Sequence, residues 1–140
     1  MISFYSIGFN NPLKKIRTLR CFLIGILNEH SKKDGNINIV FVDDEYLLKI
    51  NNEFLHHDYY TDTITFPYHL KHSKVIEGDI FISYDRIKEN AKLYKCSVQI
   101  ELIRVIIHSI LHLLEYQDKN GNNIIFKKQE KYLQDFLEQL

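Results

Sequence analysis

Two histidines one helical turn apart, His108 and His112, stand in a stretch that is otherwise almost wholly apolar, IELIRVIIHSILHLL. Burying imidazoles without partners is costly, so the pair needs a use. Side chains at i and i+4 project side by side from a helix, and two neutral imidazoles so placed can bind one metal ion. The same spacing also suits two core histidines, each satisfied by a carbonyl or a carboxylate. A third ligand favours the metal, and Asp118 follows His112 by six residues. On a continuing helix Asp118 would lie ~240° around from His112. If the helix stops near Leu114 and the chain turns back, the carboxylate faces the pair. HxxxHxxxxxD then parallels the HxxxHxxxxxH layout of zinc hydrolases whose third ligand follows a turn. Three protein ligands leave one position open for water, which is the catalytic pattern for a single zinc ion.

The rest of the helix supports a cleft. At ~100° per residue, Glu101, Arg104, His108, His112 and Glu115 fall on one polar stripe, while the remaining circumference is apolar. Glu115 competes with Asp118 as third ligand or base, one turn beyond His112. Arg104 is the nearest cation that could steady developing negative charge. Its alternative is an i,i+3 pair with Glu101 that serves structure. Zinc peptidases place a glutamate directly after the first histidine as general base. That position is Ser109 here, which cannot replace it.

The elements that must position these residues follow from pattern and capping. ISFYSI reads as a first strand. Asn11 and Pro12 predict the start of a helix with Ile16, Leu19, Leu23 and Ile26 on one face. NINIVFVDD reads as a central strand, and Asp43 or Asp44 caps the helix DEYLLKINNEFL. TDTITFP and GDIFISYD read as two more strands, and Ser83 or Asp85 opens the helix DRIKENAKLYK. Ser97 caps the histidine helix. A last amphipathic helix follows, with Phe126, Leu133, Phe136, Leu137 and Leu140 as its expected inner stripe. The pattern is α+β: a small mixed four-stranded sheet with about five helices, one of them central and buried. Residues 1–140 are expected to form one domain, since the chain shows no repeat or Pro/Gly/Ser-rich linker.

Composition narrows the partners. Eighteen Lys and Arg balance eighteen Asp and Glu, so net charge does not point to a bulk polyanion. The balance is uneven, however. Residues 1–33 hold Lys14, Lys15, Arg17, Arg20, Lys32 and Lys33 against Glu29 alone, and Lys127, Lys128 and Lys131 cluster near the C-terminus. Such runs are ordinarily solvated helix faces; a local phosphate-contacting surface is the alternative. Cys21 and Cys96 lack metal or disulfide spacing. The first residues lack the basic-then-apolar order of a signal peptide, and no apolar run reaches membrane-spanning length. A cytoplasmic protein with no membrane partner is expected.

VIIHSILHLLEYQD resembles the signature of the YbeY-type endoribonucleases, the bacterial rRNA maturation factors, whose motif runs approximately HGxLHLxGYDH. NNEFLHHDYYTDTITFPY is similar to that family's N-x-x-[YF]-R-x-x-D-x-x-TDVLSFP block, and GDIFIS before a helix resembles its third. The resemblance implies a zincin-like fold, one bound Zn(2+) and cleavage of single-stranded RNA. It further implies a role in rRNA maturation at the 16S rRNA 3′ end and in ribosome quality control, with small-subunit proteins as possible neighbours. His108, His112 and Asp118 would be the metal ligands. Alternatives are a non-catalytic ribosome-assembly factor with a structural metal and a metallopeptidase, the latter opposed by Ser109.

Three departures stand out. The family's third histidine is Asp118, a sound zinc ligand that adds negative charge. Its glycine at the helix end is Glu115, where a positive φ is costlier. Its arginine in the second block is Leu55, so a phosphate-binding role does not carry over to that position. His56, His57 and Asp58 form a further cluster, but adjacent histidines point apart and suit supporting or surface roles. Tyr59, Tyr60 and Tyr68 could stack on RNA bases, at ~1–3 kcal/mol per base. His69 and His72 are expected in an exposed loop.

Overall fold

The computed structural model describes residues 1–55, 62–116 and 124–140. The elements run β1 (Ile2–Ser6), α1 (Ile16–Glu29), β2 (Lys33–Val42), α2 (Asp44–Leu55), β3 (Thr63–Pro67), β4 (Val75–Ser83), α3 (Tyr84–Tyr94), α4 (Val98–Leu113) and α5 (Ile124–Glu138). The expected α+β class, four strands and five helices are all present. The sheet order is β1-β2-β4-β3. β1, β2 and β4 are parallel, and β3 runs antiparallel to β4 at the edge.

The sheet separates two apolar layers. Ile37, Ile39 and Phe41 of β2 and Ile80 and Ile82 of β4 point into the larger one, with α1, α4 and α5. Val40 and Val42 point the other way, against Leu47 and Ile50 of α2. This is the period-2 alternation of a strand that is buried on both faces. α4 is central: Leu102, Ile106, Ile107, Ile110 and Leu111 have no exposed surface. Burying those five side chains fully is worth roughly 1.5–3 kcal/mol each relative to exposure. Gly78 of β4 is required by a close approach, because an added Cβ would lie 2.5 Å from the carbonyl oxygen of Phe66 on β3.

Three helix starts match their predicted caps. Asp43 accepts the N–H of Tyr46 at 2.8 Å, Ser83 that of Arg86 at 3.2 Å, and Ser97 that of Ile100 at 3.1 Å. The first helix does not start where predicted. Asn11 instead accepts the N–H of Leu13 in a local turn. Gln99 then clamps the segment, accepting from the N–H of Lys14 and donating to the carbonyl of Pro12 at 2.6 Å. These bonds, made from the start of α4, hold residues 11–14 out of the helix, which opens only at Ile16.

The stripe of the last helix also needs correction. Ile125, Gln129, Leu133 and Phe136 face inward, whereas Phe126, Leu137 and Leu140 are exposed. No single helix among the described residues is long and apolar enough to cross a membrane.

Candidate metal centre

His108 and His112 lie on the half-buried side of α4. Their Nε2 atoms are 2.9 Å apart and their rings stand nearly perpendicular, at 80°. The opposite nitrogens set the chemistry. His108 Nδ1 lies 2.6 Å from Gln129 Oε1, and His112 Nδ1 lies 3.0 Å from the carbonyl oxygen of Tyr116. Both partners are acceptors, so each Nδ1 is placed to donate, which leaves the two Nε2 atoms turned toward one another. Two Nε2 atoms in such contact call for a shared positive charge. Two nitrogens on a tetrahedral zinc ion lie about 3.3 Å apart, so the pair is within a few tenths of an ångström of ligand spacing.

α4 ends at Leu113, and the backbone leaves the helix through a tight turn at Leu114–Tyr116. Glu115 N–H donates to the carbonyl of His112 at 2.9 Å, and Tyr116 N–H to that of Leu111 at 3.1 Å. This is a Schellman turn, with Glu115 in the left-handed region at φ 74°. The turn swings the Tyr116 carbonyl over His112. The Tyr116 hydroxyl meets His30 Nε2 at 2.9 Å, and the other nitrogen of His30 lies 2.8 Å from the carbonyl of Ile26. The carbonyl that holds His112 is therefore anchored through its own side chain to the end of α1.

Glu115 does not continue the polar stripe. Past the last residue of α4, its Oε1 accepts the backbone N–H of His72 at 3.2 Å and its Oε2 lies 3.5 Å from His72 Nδ1. That position draws the carboxylate to the β3–β4 loop rather than to the histidines. Asp118, and with it His56, His57, Asp58, Tyr59 and Tyr60, lies outside the described residues. Among the described residues, no group of three His, Cys, Asp or Glu is arranged to hold a metal ion.

Beside His108 opens a cleft of about 490 Å³, lined by Asp62, Glu101, Arg104, Gln129 and Glu130 among others. Arg104 is engaged on two sides. Its Nη1 donates to Glu101 Oε1, and its Nε donates to Glu130 Oε2 at 3.0 Å. The pairing alternative for Arg104 is thus the one the geometry displays, with two carboxylates offsetting one guanidinium. Burial pushes the Glu101 carboxyl above its usual range despite the opposing bond from Arg104. For Arg104, burial alone would favour deprotonation, but the bonds to Glu101 and Glu130 outweigh it and keep the guanidinium charged. Arg86 of α3 is paired with Asp44 at 3.2 Å.

Ser109 points away from the histidines. Its hydroxyl donates to the carbonyl of Val105 at 2.9 Å and lies 3.3 Å from Thr63 Oγ1, fully buried where α4 crosses β3. Tyr68 donates its hydroxyl to Asp79 at 2.7 Å. His72 is exposed as expected, but His69 is half-buried, with Nδ1 2.9 Å from the Glu77 carbonyl.

Gln129, Tyr116 and Asp62 are the site residues that sequence reasoning passed over. A signal existed for the first: glutamine interrupts the buried stripe Ile125–Leu133–Phe136 at a helical interval.

A family model described as Endoribonuclease YbeY matches residues 11–137. The Endoribonuclease YbeY of Cytophaga hutchinsonii is 44% identical over 118 residues, covering 84% of this chain and 82% of that protein. That of Flavobacterium psychrophilum is 39% identical over 132 residues, covering 93% and 91%. Among solved structures, the solution structure of TM1509 from Thermotoga maritima superposes with a TM-score of 0.66 at 27% identity, covering 99% of this chain and 91% of that one.

Proposed function

The chain belongs to the YbeY endoribonuclease family, and from that premise we propose that it is a zinc-dependent endoribonuclease acting on single-stranded RNA. Its place is rRNA maturation at the 16S 3′ end and ribosome quality control, in the cytoplasm, beside small-subunit proteins. His108, His112 and Asp118 hold one zinc ion.

The observation that carries the metal reading is the opposed Nε2 pair, with both Nδ1 protons held by acceptors. Two Nε2 atoms turned together call for a shared cation, and partners that fix the far ring nitrogen are the usual support of a ligating histidine. Once bound, the ion supplies Lewis acidity toward water and a phosphoryl oxygen. The protein's part is orientation: Gln129 and Tyr116 hold the rings, and the buried helix behind them prevents either from swinging away. The peptidase alternative is weakened further by Ser109, whose hydroxyl is spent on α4 and β3.

The deciding experiment is multiple-turnover cleavage of single-stranded RNA, with duplex RNA as control, by wild type and His112→Ala. Cleavage by the wild type, lost in a variant that keeps its circular dichroism, is the expected result. Normal cleavage by His112→Ala would eliminate the metal mechanism. Zinc binding without cleavage by either protein would leave a non-catalytic assembly factor.

A further inference from the structure

Beyond the two histidines, a connected set of polar groups runs from α5 back into α4. Gln129 is 7% exposed and is the one polar side chain in the buried stripe of α5. A buried amide among Ile125, Leu133 and Phe136 costs stability unless its partners are satisfied. Both ends of this one are occupied. Oε1 faces His108 Nδ1 at 2.6 Å, and Nε2 donates to Glu130 Oε2 at 3.2 Å. Glu130 Oε2 in turn receives Arg104 Nε at 3.0 Å, and Arg104 also binds Glu101.

The order of these bonds has a chemical consequence. A glutamine amide can present either its oxygen or its NH₂ to a neighbour, and the two choices impose opposite tautomers on an imidazole. The Glu130 carboxylate can only accept, so it draws the NH₂ to its own side and leaves the oxygen for His108. Arg104 holds Glu130 in place and compensates its charge. With the oxygen facing it, His108 is protonated at Nδ1, and its Nε2 stays on the side shared with His112. If the amide flipped, the NH₂ would face His108 and move the proton to Nε2, removing the ligand atom.

We propose that Gln129 is the positioning residue for His108, and that Glu130 and Arg104 fix its amide in the orientation that leaves Nε2 able to bind a metal. This rests on the metal reading above for its purpose, though not for its geometry. It also gives Arg104 a role in the cleft that needs no contact with substrate.

The test compares the full-length wild type with Gln129→Met, which keeps length and removes the acceptor, and Gln129→Glu, which keeps an acceptor oxygen in either protonation state. Long-range ¹H–¹⁵N spectra of the chelator-treated chain read the His108 tautomer directly, and chelator competition reads affinity for zinc alone. The wild type should show the Nδ1–H form. Gln129→Met should mix the tautomers and weaken zinc binding about 10- to 100-fold, the usual effect of losing such a partner. Gln129→Glu should keep the Nδ1–H form, because a carboxylate accepts from His108 even without the bond to Glu130. An unchanged tautomer and affinity in Gln129→Met, or an Nε2–H form in Gln129→Glu, would overturn the proposal. An RNA-cleavage failure in the wild type would instead remove the nuclease reading, because neither spectrum nor zinc competition depends on it.

Discussion

Glu115 stands in the left-handed backbone region at φ 74°, and its carboxylate accepts the backbone N–H of His72 at 3.2 Å. The first feature costs roughly 1–2 kcal/mol for a residue with a Cβ. The second returns little, because His72 is largely exposed and surface pairs are worth at most about 1 kcal/mol.

Replacing Glu115 by glycine should therefore stabilise the protein, by about 1 kcal/mol. For a chain of this size that is a rise of about 4 °C in Tm, read by calorimetry. The Schellman bonds to His112 and Leu111 are backbone bonds and survive the change. A fall in Tm would mean that the contact with His72 outweighs the backbone strain.

Ser31 and Lys95 occupy the same left-handed position, at φ 58° and 55°, after α1 and α3. Each N–H there bonds back to its helix, at 2.9 Å to Asn28 and 3.3 Å to Lys92. Neither side chain is given a role by this geometry, so Ser31→Gly and Lys95→Gly should each raise Tm by a few degrees. The gains should add, since the two turns share no partners. Strong non-additivity in the double variant would count against this account.

The Glu101–Arg104–Glu130 cluster should respond to single and double substitution differently. Arg104→Met strands a carboxylate that is 2% exposed and should cost about 3 kcal/mol in urea unfolding. Arg104→Met combined with Glu101→Leu should recover much of that loss, because the buried charge goes with its partner. A double variant as unstable as the single one would show that Glu130, not Glu101, carries the coupling.

The pH dependence follows from Glu101. Its carboxyl is raised in the folded protein, first by burial, so the folded state holds its proton longer than the unfolded chain. Such a group contributes stability that is fully present below its ordinary value of 4.5 and is lost as pH rises through the folded value. The difference in Tm between wild type and Glu101→Gln should therefore shift against the wild type as pH is raised from about 4 toward neutrality. A difference that is flat over that window, or that moves the other way, would contradict the assignment.

What could be read in advance was mostly local. Ser83 and Ser97 cap the helices they precede, and β-branched runs form the strands, because those preferences act over a few residues. The end of α4 near Leu114 was also expected, and the helix stops at Leu113 with Glu115 at positive φ even without the family's glycine. What was missed was set by distant partners. Asn11 and Pro12 look like a helix start, yet Gln99 holds that segment from the first turn of α4. Gln129 looks like a surface residue until His108 gives it a reason to be buried. The Gln99 contact has no signature within its own window of sequence, and Gln129 shows only as a polar residue on an otherwise apolar stripe.

The third ligand is the part of the site most open to direct test. If His108, His112 and Asp118 bind zinc, the ion stabilises the folded chain by mass action, about 2.7 kcal/mol at a free concentration one hundred times Kd. Titrating zinc into chelator-treated protein should raise Tm, and adding excess chelator should reverse it. His112→Ala should abolish the response, because it removes one of the two facing nitrogens. Asp118→Ala should weaken it, shifting the titration to higher zinc, whereas Glu115→Ala should leave it unchanged because that carboxylate is turned to His72. The opposite ranking, with zinc response kept in Asp118→Ala and lost in Glu115→Ala, would move the third ligand to Glu115 and require the turn at the end of α4 to reopen on binding.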